Sequence, residues 1–104
     1  MVSIMDDEIT ATALRTVLRK VKIVDVREPE EYAAGSIEGA VHKPLGALIR
    51  DVGKGVFTLP RDQEIVCYCA AGVRGKVATD FLRGKGLKAR NLVGGYHAWT
   101  ADSA

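Results

Sequence analysis

The chain has 104 residues, enough for one compact core and not for two, so we predict a single domain over residues 1–104. Fifteen basic and thirteen acidic side chains give a net charge of +2, a balance that argues against nucleic acid as a main partner. Two cysteines are too few for a disulfide scaffold, and Cys67 and Cys69 stand too close together for a metal site without other ligands.

The N-terminal residues have no pattern of an export signal. Residues 6–8 are three consecutive acids, where a secretory signal has a basic start and a long apolar run. The longest apolar stretches, such as Ile65–Cys67, are too short to cross a bilayer. We therefore expect a cytoplasmic protein with no membrane partner, in a reducing compartment where thiols stay free.

Patterns typical of helices and of strands alternate along the chain. Apolar residues recur at helical spacing in some segments, and β-branched runs mark others as strands. In chain order we predict a helix from Thr10 or Thr12 to Lys20, a strand at 23–26, a helix over 28–34, a strand at 40–41, helical turns over 45–51, a strand at 64–68, a helix after Gly75 that ends at Gly84 or Gly86, a strand at 91–93 and a helical turn over 96–100. This order indicates an α/β fold with a mostly parallel central sheet, flanked by helices on both faces.

The segment from Cys69 to Gly75 joins a predicted strand to a predicted helix. Sites in parallel sheets gather at the carboxyl ends of strands, and Cys69 stands at one of these ends. Because residues 70–72 are small, backbone N–H groups can turn inward and, with the positive helix end, form a pocket for an anion. Such a pocket favours a thiolate, the nucleophilic form, and Arg74 adds positive charge or braces the loop. From the spacing alone, a small buried structural cysteine explains Cys69 equally well.

Four blocks of the sequence resemble, in the correct order, the motifs of the rhodanese family. They are Val24–Glu28 with Glu31 and Tyr32, like the family's D-V-R-x-x-x-E-[FY] block; Gly35–Ala40 with Pro44 and Leu45, like its G-H-I-x-G-A and P-L elements; Cys69–Arg74, like its C-x-x-G-x-R loop; and Leu92–Gly95 with Trp99, like its G-G-x-x-x-W element. One block alone would be a weak signal, whereas four in order over nearly the whole chain are a strong one. The resemblance implies a single rhodanese-like domain with a sheet of about five strands.

The resemblance also implies sulfur transfer through a covalent persulfide. Cys69 would attack the sulfane sulfur of thiosulfate or of a persulfide, and an acceptor, either cyanide or a thiol, would then remove it. The acceptor thiol belongs to a small molecule or to a thiol-carrying protein, and the resemblance implies no metal and no organic cofactor. The substrate-binding residues implied around Cys69 are Ala70, Ala71, Gly72, Val73, Arg74 and Gly75.

The chain departs from the family pattern in two ways. Ser36 replaces a frequent histidine and Gly75 a frequent serine, for which we expect altered packing or loop stiffness and retained activity. Ala70 and Ala71 lack the basic side chains that some thiosulfate-using relatives carry after the cysteine. Arg74 and the loop amides are then left to attract an anionic donor, and a persulfide or polysulfide donor is also consistent with the sequence.

Two other functions fit parts of the pattern. Phosphatases and arsenate reductases of the related cysteine-loop type place five residues between cysteine and arginine, where this chain has four, from Ala70 to Val73. The smaller loop favours a sulfur atom over a tetrahedral oxyanion. Non-enzymatic rhodanese-like modules often lack the cysteine, which this chain retains as Cys69 together with the full loop.

The other candidate residues have structural interpretations that we favour over functional ones. Cys67 faces the same side as Cys69, but a disulfide between adjacent-but-one residues is strained, so we expect packing and no redox role. Asp25 and Arg27 are expected to be scaffold contacts and not catalytic groups. Surface or core positions are expected for His42, His97, Tyr96 and Trp99.

Basic side chains concentrate in residues 74–90, which hold six basic residues and one acidic residue. A solvated helix face explains this excess. A basic rim that attracts an anionic donor or an acidic partner explains it equally well.

Overall fold

The computed structural model describes residues 7–102, which form a five-stranded parallel sheet with helices on both faces. The strands are β1 (Glu8–Ile9), β2 (Lys22–Asp25), β3 (Val41–His42), β4 (Ile65–Tyr68) and β5 (Ala89–Leu92). The helices are α1 (Ala11–Thr16), α2 (Pro29–Ala33), α3 (Leu45–Gly53), α4 (Val73–Gly84) and α5 (Gly95–Asp102). The strand order is β1-β5-β4-β2-β3, and every pair of neighbours is parallel. The predicted α/β class and parallel sheet are confirmed.

The sheet separates two apolar cores. Residues of β4 are all fully buried, because helices cover both faces of the strand. Alternation directs Cys67 to the first core, under α3 and α4, and directs Val66 and Tyr68 to the second core, under α1 and α5. Each fully buried aliphatic side chain in these cores contributes about 1.5–3 kcal/mol to folding. The two cores hold β4 rigidly, and so fix the point at which the chain leaves the sheet at Cys69.

The first helix is shorter than the sequence predicts. Thr10 caps it as expected, since its Oγ1 accepts a hydrogen bond from the Ala13 N–H at 3.1 Å. The helix ends at Thr16 instead of Lys20, and residues 17–20 form turns that return the chain to β2. These turns place Val17 and Leu18 against the second core. The apolar residues that predict a longer helix therefore pack on the core from the turns that follow the helix.

The helix after the cysteine loop begins earlier than predicted. Gly72 adopts a φ of 116° and occupies the N-cap position, so Arg74 and Gly75 belong to the first turn of α4. The other boundaries also shift: β2 is at 22–25 instead of 23–26, α2 at 29–33 instead of 28–34, β3 at 41–42 instead of 40–41, α3 at 45–53 instead of 45–51, β4 at 65–68 instead of 64–68, β5 at 89–92 instead of 91–93, and α5 at 95–102 instead of 96–100. Within residues 7–102, no helix is long and apolar enough to span a bilayer.

β1 is not predicted by the sequence pattern. It has two residues, of which Glu8 is exposed and Ile9 is buried, so it shows no local strand signal. Its conformation is set by pairing with β5, where Ile9 stands beside Leu92 and its carbonyl oxygen accepts from the Val93 N–H at 2.9 Å. The pairing joins residues more than 80 positions apart, which no short sequence window encodes.

Candidate active site

The loop between β4 and α4 closes around the sulfur of Cys69. Its Sγ accepts hydrogen bonds from the backbone N–H groups of Gly72 at 3.1 Å and Gly75 at 3.2 Å. The residue is 1% exposed, so little water competes for the sulfur. The sulfur lies at the N-terminal end of the 12-residue α4, next to its first backbone N–H groups. The loop therefore holds the Cys69 sulfur by two backbone hydrogen bonds at the start of α4.

The six loop residues expected to bind substrate contribute in different ways. Gly72 and Gly75 supply the amide donors to sulfur. The carbonyl oxygen of Ala70 faces away from the sulfur to accept a hydrogen bond from α5. Ala71 and Val73 are exposed on the outer side of the loop. The sixth residue, Arg74, forms the ion pair described next.

Arg74 is fixed by a two-pronged ion pair with Glu31 of α2. Its Nη1 and Nη2 donate to the two carboxylate oxygens at 2.8 and 3.0 Å. Glu31 also accepts from the Glu28 N–H at 2.9 Å, which holds the carboxylate in place. The hydrogen bond from Arg74 lowers the pKa of Glu31 to about 2, and the carboxylate raises the pKa of Arg74. Arg74, which also interacts with Cys69, therefore both carries charge and braces the loop.

The start of α5 holds the first two peptide groups of the loop. The N–H groups of Tyr96 and His97 donate to the carbonyl oxygens of Cys69 at 2.7 Å and Ala70 at 3.0 Å. Gly95 adopts a φ of +61°, and a Cβ at this position would overlap the Cys69 carbonyl oxygen and lie 2.6 Å from that of Ala70. Glycine is therefore the residue that allows α5 to approach the loop.

Asn91 of β5 contacts the loop at Gly72 and Gly75. It is 4% exposed, and its Nδ2 donates to the Gly72 carbonyl oxygen at 3.1 Å. Its Oδ1 has no hydrogen-bond partner within the described residues and occupies the space that a Cβ on Gly75 would need. Asn91 thus contacts both residues whose amides donate to Cys69, and it explains the glycine at position 75.

Replacement of Asn91 by alanine is expected to slow alkylation of Cys69 by iodoacetamide about three- to tenfold, the equivalent of one lost hydrogen bond. The fold is expected to persist, because the Gly72 carbonyl oxygen still accepts from the Lys76 N–H. The matched control is Leu92→Val, a buried truncation of the next residue in β5 that leaves the loop contacts intact. Unchanged alkylation in Asn91→Ala, measured by intact mass, would show that the loop does not need this support.

Cys67 lies in the first core and is fully buried. Burial raises the pKa of its thiol to about 12, an effect that the neighbouring Thr79 side chain partly offsets. Both cysteines are free thiols. A protonated, enclosed Cys67 agrees with the packing role that we expect from the sequence.

Asp25 and Arg27 belong to a buried network at the end of β2. The Asp25 carboxylate accepts from Arg27 Nη2 at 2.6 Å and from the Tyr68 hydroxyl at 2.7 Å. Arg27 donates onward to the Gly35 carbonyl oxygen at 2.6 Å, and the Tyr68 oxygen accepts from the Ile37 N–H at 3.0 Å. These contacts give both side chains a place in the scaffold that carries α2 and its Glu31.

The remaining candidates lie away from the sulfur. His42 stacks on Tyr32 with ring centroids 4.4 Å apart, and the side chain of His97 is exposed. Within residues 7–102, no group of three His, Cys, Asp or Glu side chains could hold a metal ion. The basic residues of positions 74–90 do not form one surface. Lys76 pairs with Asp80 on α4. Three of the four more distant basic residues line a cleft at the amino edge of the sheet, opposite the loop: Arg83, Lys88 and Arg90. The fourth, Lys85, lies over the ring of Phe81.

Sequence reasoning identified Cys69 and its loop but missed three supporting residues. The sequence places Glu31 within reach of Arg27 in the next turn, and this expectation is wrong: Arg27 pairs with Asp25, and Glu31 pairs with Arg74. Asn91 gave no signal, because the local pattern predicts only a strand there. For Gly95, the pattern Gly94-Gly95 predicts a turn, and this double glycine is the local sign of a close backbone approach.

Comparison with known proteins agrees with this geometry. Residues 10–102 match the family model described as Rhodanese-like domain. The chain is 34% identical over 99 residues to the putative sulfurtransferase YtwF of Bacillus subtilis, with 92% of each protein covered. It is 32% identical over 91 residues to thiosulfate:glutathione sulfurtransferase of Homo sapiens, which covers 77% of this chain and 79% of the human protein.

Structural comparison leads to the same family. The crystal structure of a rhodanese-related protein from Thermoplasma volcanium has a TM-score of 0.83 and 32% identity, with 92% of each chain covered. Other relatives are longer, and the chain spans 42% of a putative sulfur carrier protein and 20% of a probable adenylyltransferase/sulfurtransferase. The relatives named sulfurtransferases support a sulfurtransferase role. The chain belongs to the rhodanese-like domain family.

Proposed function

We propose that this protein is a sulfurtransferase in which Cys69 carries sulfane sulfur as a persulfide. The observation that carries the proposal is the pair of backbone N–H groups, from Gly72 and Gly75, that donate to Sγ at 3.1 and 3.2 Å. A thiolate and a persulfide both present anionic sulfur, so these two amide donors would stabilise each of them. With four residues between Cys69 and Arg74, the loop favours an added sulfur atom over a tetrahedral oxyanion.

The reaction consists of two displacements at sulfur. The Cys69 thiolate attacks the outer sulfur of thiosulfate or of a persulfide; a bond to Sγ forms, the donor S–S bond breaks, and its electron pair leaves on sulfite or on a thiolate. Cyanide or an acceptor thiol then attacks the terminal sulfur and releases thiocyanate or a new persulfide, which restores the thiolate. A covalent enzyme intermediate of this kind gives ping-pong kinetics. The reaction needs no metal and no organic cofactor.

The partners follow from this chemistry. One is a small sulfur donor, and the other is cyanide or a thiol. The names of two relatives, a thiosulfate:glutathione sulfurtransferase and a putative sulfur carrier protein, support a thiol acceptor and a thiol-carrying protein partner. We place the reaction in the cytoplasm, where acceptor thiols stay reduced.

Intact-mass spectrometry after incubation with a sulfur donor tests the proposal. The wild-type protein and Cys67→Ala are expected to gain one sulfur atom, which cyanide removes, because Cys67 is buried and protonated. Cys69→Ser is expected to gain none. Sulfur transfer by Cys69→Ser at the wild-type rate would contradict the assignment.

Two further results would replace it with another function. Turnover of an aryl phosphate through Cys69 would indicate a cysteine-loop phosphatase. Capture of a specific partner by Cys69→Ser, with no persulfide formed by the wild-type protein, would indicate a non-enzymatic binding module.

A further inference from the structure

The loop carries one cationic side chain, and a carboxylate neutralises it. Arg74 is the only basic residue from position 70 to position 75. Both of its terminal nitrogens donate to Glu31, and the two side chains are 34% and 32% exposed. The net charge that this pair presents to an incoming ligand is therefore close to zero.

Cations on the neighbouring elements also have carboxylate partners. Three of them stand at or near the carboxyl edge of the sheet: Arg27 pairs with Asp25, Lys43 with Asp51 and Lys76 with Asp80, at 2.6, 2.6 and 3.0 Å. The backbone amides and the N-terminal end of α4 are then the main source of positive potential at the sulfur. None of these three paired cations adds an unpaired positive charge to it.

The surface beside the loop is apolar. A groove of about 430 Å³ runs from the loop along α4 and β5. Most of its lining is apolar and includes Val73, Val77 and Val93, which are 76%, 45% and 42% exposed; the two charged residues in the lining are Glu8 and Lys76, and Lys76 is paired with Asp80. A doubly charged inorganic anion gains nothing from such a surface, whereas a carbon-bearing group loses contact with water there.

We propose that Glu31 is a specificity-determining residue. It lowers the rate of sulfur loading from dianionic donors such as thiosulfate relative to the rate from persulfides on an organic group. The inference rests on the proposed persulfide chemistry of Cys69. A dianion must approach a thiolate of like charge, and an unpaired Arg74 would offset that repulsion. Paired with Glu31, Arg74 offsets little of it, and the penalty for a dianion is larger than that for a protonated persulfide R–S–SH, which carries no charge.

The donor step is balanced without an added oxidant or reductant. The Cys69 thiolate attacks the terminal sulfur of R–S–SH, a bond from Sγ to that sulfur forms, and the donor S–S bond breaks. The electron pair leaves on R–S⁻, which takes up the proton of the transferred sulfur. The products are the Cys69 persulfide anion and the thiol R–SH.

The test compares two donors across matched variants. Second-order rate constants for loading one sulfur onto Cys69 are measured by quenching and intact mass, with thiosulfate and with benzyl persulfide. Glu31→Gln keeps an oxygen that can accept from the Glu28 N–H but removes the charge. We expect it to lower the ratio of the benzyl persulfide constant to the thiosulfate constant about tenfold at low ionic strength, and less at high salt. The intrinsic reactivity of each donor cancels in this comparison.

Two more variants make the result decisive. Glu30→Gln changes the net charge equally on the same helix, but Arg74 donates to Glu31 and not to Glu30, so we expect the wild-type ratio. Ala71→Lys adds an unpaired cation at an exposed loop position and is expected to lower the ratio without disturbing α2. An unchanged ratio in Glu31→Gln, or an equal change in Glu30→Gln, would overturn the inference. Failure of the wild-type protein to load sulfur from either donor would instead overturn the proposed function.

Discussion

Replacement of Gly95 by alanine is expected to reduce sulfur loading of Cys69 by about a hundredfold or more, the cost of misplacing a reacting group by about 1 Å. The new Cβ would overlap the Cys69 carbonyl oxygen and lie 2.6 Å from the Ala70 carbonyl oxygen. Both are backbone atoms, so no side-chain rotation relieves the overlap. The loop must move away from α5, and the hydrogen bonds from Tyr96 and His97 are lost. Loading is measured by intact mass, with circular dichroism to confirm that the variant is folded.

Gly39→Ala is the matched control for this prediction. Gly39 also has a left-handed backbone, with a φ of +86°, but a Cβ there would meet nothing within 4 Å. Alanine at either position incurs the conformational penalty of roughly 1–2 kcal/mol, and only Gly95→Ala adds the collision with the loop. Equal loading rates in the two variants would show that α5 does not position the nucleophile.

The sequence predicts a loop around Cys69 because the relevant information is local. Cys69 directly follows a buried β-branched strand, and the small residues and the glycine that form the amide ring lie within the next six positions. Hydrogen bonds from Gly72 and Gly75 to the sulfur therefore need only a strand, a tight loop and a helix start. The parallel sheet then places this loop at the carboxyl edge.

The supporting residues depend on how distant segments meet. Glu31 and Arg74 are 43 positions apart, and they meet because β2, which leads into α2, pairs with β4. Asn91 reaches the loop because β5 is the other neighbour of β4, where it stands beside Cys67 in register. A pattern of residue types along the chain indicates strands, but not which strands become neighbours. The charge balance at the active site was therefore not accessible from the sequence.

Helix and strand boundaries that differ from the predicted ones have the same cause, namely contacts between segments that are distant in sequence. The apolar residues that predict a first helix as far as Lys20 do face the core, but from turns after Thr16. Strand β1 exists because β5 offers it a partner. In both segments tertiary packing overrides the local preference, as is common for short elements.

Replacement of Asp25 by asparagine is expected to destabilise the fold by about 3–5 kcal/mol, the cost of leaving a buried charge without its partner. Asp25 is fully buried, and Arg27 is 4% exposed. The hydrogen bond to Asp25 raises the pKa of Arg27 in the wild-type protein, and an arginine stays protonated even when that bond is lost, so Arg27 would keep its charge in the variant. The Tyr68 hydroxyl would lose a charged acceptor at 2.7 Å. For a domain of this size the corresponding fall in Tm is on the order of 15–30 °C, measured by calorimetry or circular dichroism.

A second substitution separates the unpaired charge from the loss of hydrogen bonds. In the double variant Asp25→Asn with Arg27→Met, the buried guanidinium is absent, so we expect part of the lost stability to return. The recovery would be incomplete, because the Gly35 carbonyl oxygen also loses its donor from Arg27. The control is Arg27→Met in the wild-type protein. If Arg27→Met lowers the free energy of unfolding by the same amount in the wild-type protein and in Asp25→Asn, the two side chains act independently. Their bidentate geometry, with Arg27 donating from Nε and Nη2, argues for strong coupling instead.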